Sequence, residues 1–262
     1  MNIYEAMLLG LIQGLTEFLP VSSSGHLVIF QEILGLDEPG VTLEVLLHFG
    51  TLLSVFWVFG SDFLALLSFR KNIKERRFLL MLIVGVAVTG SIGLLFSGYI
   101  TELFKSTLLV GFMLLITGAI LKLIGILPVG LKDKENITFK DALFIGLLQA
   151  LAMIPGISRS GTTIAAALWR GLDRQTAVKY SFMLSAPVIL GATLLELREL
   201  LSFGFGQELI IGYIAGGIVA FLSGVLAIRV FIKLLTGNKF HYFSYYCFAA
   251  GIVVIVVSLV RL

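Results

Sequence analysis

Gln13-Gly14-Leu15-Thr16-Glu17-Phe18-Leu19-Pro20-Val21-Ser22-Ser23-Ser24-Gly25-His26 runs from the end of one apolar stretch, Tyr4–Leu19, to the start of another, Leu27–Leu36. A second polar stretch, Pro155-Gly156-Ile157-Ser158-Arg159-Ser160-Gly161-Thr162-Thr163, divides Ala142–Ile154 from Thr163–Trp169 in the same manner. Proline removes a backbone donor and glycine loosens the chain, so a helix reaching either stretch is expected to break there. The flanking apolar segments are too short to cross a hydrocarbon core alone, which takes about 20 residues of helix. Each pair therefore reads as a re-entrant hairpin, two half-length helices joined at a polar tip. Irregular backbone at membrane depth is tolerated only against protein or a water-filled cavity.

The two stretches are copies. At an offset of 146 − 10 = 136 and without a gap, Gly10, Leu11, Gln13, Leu15, Ser22, Ser24 and Gly25 fall on Gly146, Leu147, Gln149, Leu151, Ser158, Ser160 and Gly161. Six longer apolar runs surround them: Thr42–Gly60, Phe78–Gly98, Leu108–Leu127, Ala177–Leu195, Leu209–Leu235 and Phe243–Val260. Three runs lie between the copies, an odd number, so the second copy enters from the opposite face. The expected fold is an all-α integral membrane protein with an inverted-topology repeat, six transmembrane helices plus two re-entrant helical hairpins. It forms one membrane domain over 1–262, with repeats at 1–127 and 137–262. Broken helices in corresponding positions of two halves point to a binding site near the bilayer midplane.

Composition agrees: 58% of the 262 residues are hydrophobic and 13% charged, about half the usual charged share. The net charge of +3 resides in short loops, which argues for membrane topology and against nucleic acid as a partner. Arg70, Lys71, Lys74, Arg76 and Arg77 mark a cytoplasmic loop. Lys132, Lys134, Lys140, Arg170, Arg174, Lys179, Arg229, Lys233 and Lys239 then fall on the same side, and the loop with Arg198, Glu199 and Glu208 on the other. The start, Met1-Asn2-Ile3-Tyr4-Glu5, lacks a basic n-region and reads as mature protein. Cys247 is the single cysteine, so no intramolecular disulfide forms.

The tips hold the residues fit for chemistry. An ionised Arg at membrane depth costs about 2.5–3.5 kcal/mol on insertion scales, which makes Arg159, Glu17 and His26 poor candidates for lipid-facing positions. Arg159 can grip phosphate oxygens through its guanidinium fork. Hydroxyls of Ser22, Ser24, Ser158, Ser160 and Thr163, with backbone N–H groups at the starts of the second half-helices, suit a diphosphate. Gln13 and Glu17 share a helix face and offer oxygens to a divalent cation, Mg2+ or Ca2+. His26 can move a proton near neutral pH, and a serine of the tip, Ser22, Ser23 or Ser24, can attack phosphorus if Glu17 or His26 takes its proton. Other readings stand beside these. Hydroxyl clusters also pack helices together, His26 alone suits a structural imidazole, and Glu17–Arg159 alone suits an ion pair joining the halves. His48 and Glu44 either line an entrance or pack. His241 reads as interfacial, and Lys71–Arg77 as topology signal only.

At these residues, and over essentially its whole length, the chain resembles the bacitracin-resistance family of undecaprenyl-diphosphate phosphatases, most specifically in Gly14–His26 and Pro155–Thr163. The resemblance implies hydrolysis of undecaprenyl diphosphate to undecaprenyl phosphate and inorganic phosphate, which recycles the lipid carrier for cell-wall synthesis and confers bacitracin resistance. It also implies a divalent-cation requirement, a place in the bacterial plasma membrane and an active site facing the outer side. It carries Glu17, His26 and Arg159 onto the family's essential acid, histidine and arginine, and Ser22, Ser23, Ser158 and Thr163 onto its hydroxyl positions. Whether serine or histidine attacks stays open. Gln13 stands where many members have glutamate, which shifts metal binding toward Glu17. A lipid transporter or flippase is the rival that an inverted repeat alone favours, and a structural scaffold the third reading. Glu17 and His26 face Met153 and Thr162 in the second copy, an asymmetry that favours an enzyme. A homodimer is compatible with the sequence.

Overall fold

The computed structural model describes residues 2–36, 41–125, 130–203, 207–236 and 240–261. Among them the only extended pairing is an isolated bridge between Lys132 and Leu172, and the rest of the regular structure is helical. Lys239 and the side chains of Glu44, Arg198, Glu199 and Glu208 lie outside the described residues.

Helix α1 (Ile3–Phe18) starts on Asn2, whose side chain accepts the Glu5 N–H while Glu5 accepts the Asn2 N–H. This reciprocal cap satisfies two donors that the first turn leaves without partners. The helix stops before Pro20, and α2 (Ser23–Ile33) follows. Then come α3 (Val41–Leu66), α4 (Ile73–Leu95), a short α5 (Ser97–Leu103) and α6 (Thr107–Ile124). The second broken pair is α7 (Phe139–Leu151) and α8 (Arg159–Trp169), followed by α9 (Arg174–Phe203), α10 (Gln207–Thr236) and α11 (Tyr242–Arg261). Six helices are long and apolar enough to cross a membrane: α3, α4, α6, α9, α10 and α11. They correspond to the six apolar runs of the sequence, except that α4 ends at Leu95, short of Gly98, and the last two residues of the Leu108–Leu127 run lie outside the described residues. Helix α5 begins at Ser97, in the last residues of the Phe78–Gly98 run, and was not expected as a separate helix.

The second helix of each broken pair starts earlier than its apolar run suggests: at Ser23 rather than Leu27, and at Arg159 rather than Thr163. The reason is capping. Ser22 Oγ accepts the Gly25 N–H at 3.3 Å, and Ser158 Oγ accepts the Gly161 N–H at 3.1 Å. A serine cap lets polar residues occupy the first turn, so polarity there marks a helix start and not a loop. His26 and Arg159 consequently sit in first turns.

Helix α1 lies along α10, α7 along α4, α3 against α9, and α6 against α11. Small residues let the backbones approach. A Cβ on Gly10 would lie 2.2 Å from the Gly216 carbonyl oxygen, and one on Gly146 2.8 Å from that of Gly85. The largest buried cluster holds an aromatic core in which Phe182 meets Phe18, Phe59 and Phe231 with ring centroids 5.5–5.8 Å apart. Phe231 also meets Phe240 at 5.6 Å, and Phe78 meets Tyr180 at 6.0 Å. These rings come from α1, α3, α4, α9 and α10, with Phe240 just before α11.

Those loops are tied down by ion pairs. Lys74 meets Glu135 at 2.8 Å, Lys134 meets Glu75 at 2.5 Å, and Arg77 donates to the Ile137 carbonyl at 3.3 Å. The Lys71–Arg77 segment, read as topology signal only, thus also anchors the loop before α7. Asp141, in the first turn of α7 and outside the six candidate spans, accepts from Lys132 at 3.1 Å and Arg170 at 2.7 Å. Burial pushes its carboxyl up, but hydrogen bonds from Thr138, Arg170 and Lys132 outweigh that and hold it below the usual aspartate range.

Candidate active site

The two broken helices meet tip to tip. A Cβ on Gly25 would lie 3.0 Å from the Gly156 Cα, and one on Gly161 3.2 Å from the Pro20 Cβ. Ser160 Oγ donates across the junction to the Leu19 carbonyl at 3.3 Å. Only residues without bulk can fill this contact, which explains the glycines in both motifs.

Glu17 organises the junction. Arg159 Nη2 donates to its Oε1 at 2.9 Å, joining residues 142 apart in sequence. Ser23 Oγ donates to its Oε2 at 2.5 Å, and Gln13 Nε2 donates to the same oxygen at 3.1 Å. Glu17 is 7% exposed and Gln13 fully buried, so the carboxylate depends on these donors in place of water. His48 is half-buried on α3.

Two buried polar atoms of this cluster have no protein partner: Arg159 Nη1 and Gln13 Oε1. Leaving a buried polar group unpaired costs about 1–3 kcal/mol. An oriented guanidinium N–H without a partner is suited to an anionic oxygen, and a free amide oxygen to a cation or its water. Among the described residues no three His, Cys, Asp or Glu side chains come together as a metal cage. Gln13 Oε1 and Glu17 fit a hard cation that brings its own waters and takes further oxygens from a phosphate, a common mode for Mg2+.

His26 makes its hydrogen bonds outside this network. Its Nδ1 lies 2.7 Å from the Ser22 carbonyl and its Nε2 2.7 Å from the Tyr246 hydroxyl. Ser22 has φ 70°, the one non-glycine in the left-handed region among the described residues. Such backbone is costly and is kept where the surroundings impose it, commonly at functional sites. Here it turns the Ser22 carbonyl toward the His26 ring.

The other expected hydroxyls are placed variously. Ser22 and Ser24 Oγ lie 3.3 Å apart, and so do Ser158 and Ser160 Oγ, the same pairing in both tips. Ser22, Ser158 and Ser160 are buried, while Ser23 and Ser24 are half-buried. Thr163 faces away from the junction: its Oγ1 donates to the Arg159 carbonyl at 2.8 Å and lies 2.5 Å from Ser181 Oγ on α9. Three contributors were missed by the sequence reading. Thr117 of α6 donates to the Gly156 carbonyl at 2.8 Å and accepts the Ser158 N–H at 3.0 Å, holding the second tip. Ser181 packs on Thr163, and Tyr246 reaches His26 across 220 positions. A tyrosine in an apolar run signals a hydroxyl that needs a partner, but nothing in its spacing tells which.

Fold and site together define a class: a multi-pass helical membrane protein in which two helix tips close on a buried carboxylate, guanidinium and hydroxyl. The chain belongs to the family described as bacitracin resistance protein BacA, whose sequence model matches residues 6–253. It is similar to the undecaprenyl-diphosphatase of Halothermothrix orenii, 48% identical over 98% of this chain and 99% of that protein. It is also similar to those of Alkaliphilus metalliredigens, 43% identical over 99% and 100%, and of Carboxydothermus hydrogenoformans, 42% identical over 98% and 98%.

Proposed function

We propose that this chain hydrolyses undecaprenyl diphosphate to undecaprenyl phosphate and inorganic phosphate at the junction of its two helix tips. The observation that carries the reading is the chain of contacts Ser23 Oγ–Glu17–Arg159: a hydroxyl donating to a carboxylate that is paired with a guanidinium whose second nitrogen has no partner. That is the arrangement of a nucleophile and its base beside an anion grip.

The diphosphate competes with Glu17 for Arg159. As the guanidinium turns to phosphate oxygens, Glu17 loses its strongest partner and becomes the better base for Ser23. Ser23 Oγ attacks the terminal phosphorus and its proton passes to Glu17. The bridging P–O bond breaks, and undecaprenyl phosphate leaves with the bridging oxygen. Water then attacks the phosphoserine. His26 Nε2 takes the water's proton, the P–O bond to Ser23 breaks, and Glu17 returns its proton to the serine oxygen. Phosphate leaves. Backbone N–H groups at the starts of α2 and α8, with Ser24, stabilise the charge spread over the phosphoryl oxygens. Gln13 and Glu17 would hold the divalent cation, which offsets phosphate charge when bound. The prenyl tail stays in lipid.

The same reading makes the two halves an inverted repeat with re-entrant tips in a bacterial plasma membrane. Three symmetric facts support it. Helix α1 packs on α10 as α7 packs on α4. Gly10 and Gly146, at the repeat offset, make the close approaches in those two pairs. The serine caps and serine pairs recur in both tips. The aromatic core reaches from Phe18 at the first tip toward the basic loops, which supports a site open to the opposite, outer face. A transport site would use both halves alike. Here the counterparts of Glu17 and His26 are Met153, whose sulfur lies against Gly93, and Thr162, whose buried hydroxyl has no partner.

Purified protein in detergent should release phosphate from undecaprenyl diphosphate with Mg2+ or Ca2+ and stop on chelation. Arg159→Ala should cut the rate about 10²–10³-fold while the protein stays folded. Unchanged release from that variant, or none from the wild type with either cation, would overturn the reading. In reconstituted vesicles, movement of lipid phosphate across the bilayer without phosphate release would favour the transporter.

A further inference from the structure

The geometry points to Tyr246, on α11, as the positioning residue for His26: it holds the imidazole with Nε2 as the proton-accepting nitrogen, facing away from the backbone. The inference rests on the functional reading above, in which His26 is the base for the attacking water.

A carbonyl oxygen only accepts, so the 2.7 Å contact between Ser22 O and His26 Nδ1 requires the hydrogen on Nδ1. In the neutral ring Nε2 then carries the lone pair, and Tyr246, 2.7 Å away, donates its hydroxyl hydrogen to it. Two bonds at opposite edges of the imidazole define its tautomer and its rotation together. The rings also lie nearly parallel, 10° apart, with centroids separated by 5.7 Å, so Tyr246 constrains the ring face as well as the nitrogen.

Tyr246 is itself held in place. Its neighbour Cys247 is buried and donates to the Pro20 carbonyl at 3.6 Å, which ties α11 to the first tip. His26 is 5% exposed, whereas Tyr246 is an exposed aromatic that covers it. Nδ1 is committed to backbone, so any proton that His26 takes must arrive at Nε2. Tyr246 stands at that nitrogen and keeps its lone pair directed until water replaces the hydroxyl. When the imidazole is protonated the same hydroxyl turns to accept from Nε2–H, so the ring keeps its place through the cycle.

A residue that acts through His26 leaves a signature that a packing residue does not. Tyr246→Phe keeps the ring contact and removes the hydroxyl. It should lower kcat about tenfold or more, part of the 10²–10⁴-fold that general acid–base catalysis supplies, and leave KM within about twofold. In the His26→Ala background the same change should have no further effect. Full kcat in Tyr246→Phe, or an equal loss in both backgrounds, would overturn the inference. Should Tyr246→Phe fail to fold, 15N-histidine spectra of the intact protein read the same contact. The His26 signals, assigned against His26→Ala, should show protonated Nδ1 and an accepting Nε2, and the opposite tautomer would overturn it. If the wild type releases no phosphate, the functional reading fails while a shift of the Nε2 15N signal between the wild type and Tyr246→Phe still decides the Tyr246 contact. If the wild type turns over and Tyr246→Phe matches it, only the present inference fails.

Discussion

Glu17 and Arg159 are partners of unequal dependence. Remove the guanidinium, and Glu17 keeps donors in Ser23 and Gln13. Remove the carboxylate, and Arg159, with one nitrogen already unpaired, loses the contact that offsets its charge. Breaking a buried pair from the dependent side costs about 3–5 kcal/mol. Glu17→Ala should therefore lower the thermal midpoint in detergent more than Arg159→Ala does; the reverse order would show that Ser23 and Gln13 do not support the carboxylate. Both residues are conspicuous in the sequence because charge inside apolar runs needs a reason. Tyr246, Thr117 and Ser181 are not, because a hydroxyl in a membrane helix is common and its partner is set by folding. Thr163 shows the opposite limit: its place in a phosphate-like motif is plain, yet its hydroxyl serves α9.

Between helices the decisive residues are small ones. Gly10 meets the Gly216 carbonyl and Gly146 the Gly85 carbonyl, so each broken helix lies against a long one by backbone contact. Without a hydrophobic force between helices in lipid, such close packing holds them together. An added methyl on Gly10 would fall 2.2 Å from an oxygen that cannot move aside, against 2.8 Å for Gly146. Overpacking costs about 1–3 kcal/mol. Gly10→Ala should lie at the upper end of that range and Gly146→Ala at the lower, read by unfolding in mixed micelles. Equal losses would mean that α1 and α7 can shift alike. The offset of these glycines is visible in the sequence, but their partners Gly216 and Gly85 belong to helices of the opposite half. The boundaries of α2 and α8 were misread for a related reason. Polar residues after a serine look like loop until the cap shows that they form the first turn.

Across the molecule, packing is uneven. Aromatic rings from five helices, with Phe240, cluster toward the basic loops, and the ion pairs of Asp141, Lys134 and Lys74 tie those loops down. The proposed function has the site open on the other side, the side of α5. This predicts an orientation. Cys247 is buried and should stay silent to a membrane-impermeant maleimide. Lys71→Cys should label only after right-side-out vesicles are permeabilised, and Ser97→Cys should label at once; the inverse pattern would turn the site inward.

The membrane class, the six long helices, the two broken ones and the charged residues at their tips were determined by sequence alone, because each follows from local chemistry: apolar length, proline and glycine, or a charge where lipid forbids one. Only the tertiary structure decided that the tips touch, that Ser23 and Arg159 converge on Glu17, and that His26 turns instead to Tyr246. Those contacts join residues from 6 to 220 positions apart. Which distant hydroxyl or carboxylate a group reaches depends on how ten or more helices pack at once, and no local pattern encodes that.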